Sequence, residues 1–200
     1  KIKNNNNNVT FLYTIRDAEG KKLYRTFERI DKTILTISIT KVLERLKLKN
    51  DFWGSIECEF YSSEDLKYSF PAIQIFYETD DGVSCVHSNQ RIFNNIEDEI
   101  ANQNLNGLQT GFDVYLDDTN FSFLTFINGP VELKNRKLEI FFYNHNGEEF
   151  KYKKFYKKIN GYQTIFIDVR NCDGLKEFLG GRSGFCKVFS PTKHSFNRIL

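Results

Sequence analysis

The chain has no methionine, three prolines, one tryptophan and four cysteines among its 200 residues. Each scarcity excludes something. With so little proline, 40% hydrophobic and 27% charged residues, the composition is that of a folded chain rather than a disordered one. No apolar run approaches the roughly 18 residues that a membrane-spanning helix needs. Four cysteines are too few for a disulfide-dense miniature fold, which a chain of this length does not require. A net charge of +2 excludes a strongly polyanion-seeking protein on global charge alone. With no methionine and lysine at position 1, the segment reads as processed or excised from a longer chain. No charged-then-apolar leader is visible, which leaves open a signal peptide already removed.

What is abundant is equally telling. Phe, Tyr, Ile, Asn and Lys together supply 87 residues. All five are encoded by A/T-rich codons, so the source genome is expected to be A/T-rich and every count-based inference is weakened. The homopolymer Asn4 to Asn8 carries no packing information, and residues 1–8 read as an Asn-rich linker or tail.

The dominant pattern is short alternating runs broken by polar turns, which predicts an antiparallel, mainly β, hairpin-built and sandwich-like fold. Strands are expected at Val9 to Ile15 and Lys21 to Phe27 around the turn at Gly20. Thr33 to Ile39, strictly alternating and β-branched, is the strongest strand signal. Further hairpins are expected at 55–70, 73–87, 112–127 and 137–155, with strands at 162–169 and 185–189. Asn146-Gly147 suits a tight turn in which both residues take positive φ. Two short helices are expected, one N-capped by Thr40 and bearing Val42, Leu43, Leu46 and Leu48, the other over Arg91 to Asn102. The glycine-bearing stretch 180–184 reads as a flexible turn, since it lacks the strand-to-helix context of a phosphate cradle.

Residues 9–61 and 138–190 share an order of events. Each has a strand, a turn ending in glycine (Gly20, Gly147), a return strand, a Thr-Ile pair, a leucine-bearing segment and a final strand. One reading is two tandem β subdomains, 9–107 and 108–200, related by duplication. The other is that hairpins in an A/T-biased β protein resemble one another.

Charge is unevenly spread. Residues 134–158 carry eight basic and three acidic groups, a local net charge of +5. Within them Lys151, Tyr152, Lys153, Lys154, Phe155, Tyr156, Lys157 and Lys158 form a basic-aromatic strand, the candidate binding site. Lysines beside stacking aromatics suit a single nucleic acid strand or another polyanion. The alternative is an edge strand guarded by lysines against aggregation, with Tyr152 and Phe155 buried. Asp113 and Glu132-Leu133-Lys134 have the residue types of a metal-dependent nuclease, at a spacing that chance also produces. Asp80-Asp81 and Asp117-Asp118 could offer oxygens to calcium, but ordinary turn chemistry explains them as well. His87, His145 and His194 form no spaced metal pair, and Cys58, Cys85, Cys172 and Cys186 lack CxxC spacing. No cofactor, catalytic or metal-ligating set is expected. In a secreted chain Cys58–Cys85 with Cys172–Cys186 is one of three pairings, and in a cytosolic one the four are reduced core or half-core thiols. The expectation is a soluble chain, with an intracellular location favoured. Its expected function is a non-catalytic protein–protein interaction module, with nucleic-acid or polyanion binding as the alternative and a nuclease a distant third.

Overall fold

A computed structural model describes residues 9–30, 34–48, 52–62, 73–79, 82–88, 108–190 and 198–199. The fold is mainly β, its sheets are antiparallel, and its described helices are two and short. Among the described residues no helix is long and apolar enough to cross a membrane.

The first sheet has the order β2-β1-β3, from β1 (Val9–Asp17), β2 (Lys22–Ile30) and β3 (Gly54–Ser62). The period-2 pattern of β1 sends Phe11, Tyr13 and Ile15 to one face, where they meet Val42 of helix α1 (Ile39–Arg45). Tyr24, Leu46, Ile56, Cys58 and Phe60 complete this small core. A separate hairpin joins β4 (Ile73–Thr79) to β5 (Gly82–Ser88).

The second part is sandwich-like. Its larger sheet has the order β6-β11-β8-β9, built from β6 (Leu108–Val114), β8 (Leu133–Tyr143), β9 (Glu149–Ile159) and β11 (Gly184–Ser190). Its smaller sheet has the order β10-β7-β12, from β7 (Phe123–Ile127), β10 (Thr164–Asp168) and β12 (Arg198–Ile199). One core fills the space between them. Leu138, Ile140, Phe142, Cys186 and Val188 come from the larger sheet, Leu124, Phe126, Ile165 and Ile167 from the smaller. Helix α2 (Leu175–Leu179) adds Leu175 and Leu179. Asn135 takes φ 51, which interrupts the alternation of β8, so Leu133 and Leu138, five positions apart, both reach the core.

Several expectations are corrected. Residues 34–38 are not a strand, and Ile39 opens α1. Both sides of β1 are already paired, by β2 and β3, so the β-branched run has no place beside it. The cap of α1 is Ser38 rather than Thr40: the Ser38 hydroxyl accepts the Lys41 N–H at 3.4 Å from an extended backbone. The 112–127 segment makes a turn and one bridge, Leu116 to Phe121, and then its strands part into different sheets. Val114 and Leu116 on one arm and Leu124 and Phe126 on the other all bury in the same core, which pulls the arms apart. Asn146 does not take positive φ. The turn has three residues, with only Gly147 left-handed at φ 77. The stretch around 175–179 is helical, ending at a left-handed Gly180. Residues 1–8, the partner strand at 66–70, the second helix at 91–102, Asp80, Asp81 and His194 lie outside the described residues.

The repeated order of events has a structural counterpart. β2-β1-β3 with α1 and β9-β8-β11 with α2 follow the same path, hairpin, helix, then a strand returning antiparallel to the first. The hairpin turns share their closing bonds. Gly20 N–H donates to Asp17 C=O at 3.0 Å, and Gly147 N–H to Asn144 C=O at 2.9 Å. The Asp17 side chain accepts from Lys21 N–H at 2.9 Å, and Asn144 from Glu148 N–H at 3.0 Å. Phe11, Tyr13 and Ile15 occupy the core positions of Leu138, Ile140 and Phe142. Each returning strand opens on a glycine that admits no side chain. A Cβ at Gly54 would lie 2.0 Å from Arg16 C=O, and one at Gly184 2.6 Å from Tyr143 C=O. The Thr-Ile pair breaks the parallel: Thr164-Ile165 begins β10, whereas Ile34 is exposed and outside any strand.

The β1–β2 turn docks on the second part. Ala18 C=O accepts Thr164 N–H at 2.9 Å, and a Cβ on Gly20 would come within 2.3 Å of Gly161 C=O. Only glycine tolerates both that approach and φ 87. Beside it the Arg16 guanidinium lies 3.7 Å from the Tyr162 ring centroid and 2.7 Å from Glu57. Trp53 rests on Phe166 at 4.6 Å.

Candidate functional site

β9 is an outermost strand of the larger sheet, so the basic-aromatic stretch divides by alternation between two faces. Tyr152 and Tyr156 point inward, pack against the core, and have their hydroxyl pKa raised chiefly by burial. Lys154 shares that side but stays exposed at the edge, its ammonium 5.5 Å from the Tyr156 ring. Lys151 and Phe155 face out, as the neighbours of Phe141 and Lys137 in the register, and Lys153 sits opposite Glu139. Lys157 is exposed opposite the irregularity at Asn135, and Lys158 pairs with Glu132 at 2.8 Å. Phe155, expected to be buried if the strand were only a guarded edge, is 65% exposed.

The outward face reaches well beyond β9. Buried Ile140, Phe142, Cys186 and Val188 alternate with outward Phe141, Tyr143, Phe185, Lys187 and Phe189. Phe141 and Phe189 meet edge to face at 5.1 Å. The Phe185 ring lies over Gly111, where any Cβ would stand 2.4 Å from it. Lys151 sits 4.3 Å from the Phe141 centroid and Lys187 5.3 Å from that of Tyr143. The face is thus five rings interleaved with lysines. Sequence reasoning missed its β8 and β11 members, although the alternation within 138–143 and 185–189 is the signal that marks them.

Much of the hairpin's charge is compensated. Glu139 holds Lys137 at 3.0 Å and Lys151 at 3.3 Å, and these bonds keep its carboxyl below the ordinary range. Glu132 holds Lys158 and, at 3.5 Å, Lys134, with the same effect led by Lys158. Among the described residues no carboxylate lies within ion-pair distance of Lys153, Lys154 or Lys157.

The other candidates are engaged locally. Glu132 is taken by two lysines, and Asp113 stands opposite Phe185 on β6. Among the described residues no three His, Cys, Asp or Glu side chains cluster as metal ligands. Asp117 accepts the backbone N–H groups of Asn120 at 2.6 Å and Thr119 at 2.8 Å, while Asp118 pairs with Lys176 at 2.7 Å. The bond from Asn120 leads in lowering the Asp117 carboxyl to about 2 from an ordinary 3.8. Its contribution to stability is therefore complete above the ordinary value and is lost as pH falls through about 2. Asp117→Ala is expected to flatten the melting temperature against pH across that interval, and an unchanged profile would refute the assignment.

All four cysteines are free thiols in this structure, with Cys172 and Cys186 buried, Cys58 half-buried and Cys85 exposed. Burial raises Cys58 and Cys186 to about 12 and Cys172 to about 11. In the native protein, thiol titration with a disulfide reagent should show Cys85, the exposed one, reacting first and Cys172 and Cys186 only on unfolding. Fast reaction of all four would contradict the packing.

No protein-family model matches the chain, and no curated protein or solved structure is detectably similar to it.

Proposed function

We propose that the protein is a non-catalytic protein-binding module that docks a partner on the outward face of its larger sheet. The supporting observation is that face itself, with five rings turned away from the core that the opposite side of the same sheet fills. Phe155 and Phe185 are the exposed rings and Phe141, Tyr143 and Phe189 are half-buried, and aromatic side chains reachable from solvent are what protein interfaces use at their centres. The ion pairs within the hairpin point the same way, because lysines held by Glu132 and Glu139 are less available to neutralise phosphates. The polyanion reading keeps one observation in its favour, the uncompensated Lys153, Lys154 and Lys157.

Affinity capture separates the two. The immobilised protein should retain specific proteins after nuclease treatment, and a Phe141→Ala, Phe185→Ala variant should lose them. Retention of heparin or a labelled oligonucleotide that is abolished by Lys153→Glu, Lys154→Glu and Lys157→Glu, with protein capture indifferent to the aromatic changes, would replace the proposal by the polyanion reading.

A further inference from the structure

We infer that the free edge of β9 accepts an extended acidic segment of a partner protein as an added strand. The inference rests on the protein-binding reading and names the chemistry of the partner. β9 runs eleven residues without glycine or proline, and among the described residues no strand pairs with its outer edge. Its unpaired backbone groups are a template for strand addition.

The charges choose the occupant. Among the described residues the lysines of β9 outside any ion pair are Lys153, Lys154 and Lys157, and they flank Phe155, the most exposed ring of the sheet. A strand laid along β9 would bring its side chains directly beside these positions and cover the Phe155 ring. A second copy of β9 would set lysine against lysine, which opposes self-pairing; an acidic strand would set carboxylate against lysine.

The internal correspondence argues that the fold does not require this basic run. β2 is the counterpart of β9 and is also an outer strand, and residues 24–30 and 150–156 share the same sequence of exposed and half-buried positions. Where β9 carries Lys153, Lys154 and Phe155, β2 carries Phe27, Glu28 and Arg29. A mixed-charge strand therefore serves the same architectural place. If lysines were needed only to guard an edge, β2 would need them equally.

The probe is a fluorescent peptide with alternating glutamate and valine, offered to the whole chain at low salt. Controls are its lysine–valine counterpart, the same acidic peptide N-methylated at alternate residues, and an oligothymidylate. The acidic peptide should bind saturably and slow amide exchange across 149–159. N-methylation should abolish binding, because it removes the ladder donors and leaves the charge unchanged. Lys153→Glu, Lys154→Glu and Lys157→Glu together should weaken it about tenfold or more, with an unchanged melting temperature certifying the fold. Equal binding of the N-methylated peptide, no protection of β9 at millimolar peptide, or protection by the oligothymidylate alone would overturn the inference. Loss of partner capture in the Phe141→Ala, Phe185→Ala variant would still stand in that case, so the edge can fail without the face.

Discussion

Phe142→Ala is expected to destabilise the protein by about 3–5 kcal/mol, the largest effect of any single truncation proposed for this chain. The side chain is fully buried near the C-terminal end of β8, between Cys186 on β11 and Phe150 on β9 in the register. Its ring lies 6.3 Å from that of Phe150, which in turn meets Phe178 of α2 at 5.4 Å. Removal would open a void bounded by strands on both sides and a helix, a site with little freedom to collapse. Ile15→Ala, at the corresponding position of the first sheet, should cost about 2–5 kcal/mol by the same mechanism. Urea unfolding followed by circular dichroism would show a lower midpoint at unchanged slope. A Phe142→Ala loss under about 1 kcal/mol would mean that the two sheets do not share the core described.

Strand identity was legible in the sequence wherever alternation coincided with a turn signal. β1, β2, β4, β5, β8, β9 and β11 all lie where period 2 meets a polar break. Partnering was not, because it depends on which edges are already taken. Ile34 and Ile37 have excellent local β propensity and no vacant edge beside β1. The arms 112–116 and 121–127 have a sound turn between them and are separated by the core they both enter. α2 escaped notice because five residues are too few to establish a 3.6-residue period, and its flanking Gly174 and Gly180 read as loop.

The site was half legible for a related reason. Composition singled out 151–158 because its lysines are contiguous, whereas a sheet face is assembled from every second residue of several strands. Phe141, Phe185 and Phe189 therefore look like core in the linear sequence, and only the burial of Ile140, Phe142, Cys186 and Val188 turns them outward. Tyr152 and Tyr156, prominent in that stretch, face the core instead. The repeat was visible as an order of events. The fold adds the matched turn bonds and the two glycines, Gly54 and Gly184, that let each returning strand approach the first.

Arg16→Ala should carry the second large effect, a loss of about 3 kcal/mol. The Arg16 side chain is only 11% exposed, with Glu57 at 2.7 Å, the carbonyl of Gly20 at 3.4 Å and the Tyr162 ring stacked at 3.7 Å. Truncation would leave Glu57 without its cation and remove the plate on which Tyr162 lies, so charge and packing are lost together. Arg16→Lys keeps the charge but not the planar stack, and a loss of about 1–2 kcal/mol is expected. Tyr162 gives the complementary test. It holds φ 61, a conformation costly for any residue with a Cβ. Tyr162→Gly should therefore be less destabilising than Tyr162→Ala by about 1 kcal/mol, although both lose the ring. A double-mutant cycle of Arg16→Ala with Tyr162→Ala should give a coupling of about 1 kcal/mol. Additivity within a few tenths would show that the stack contributes nothing, and that the β1–β2 turn is held to the second part by the Ala18–Thr164 bond and the Gly20–Gly161 approach alone.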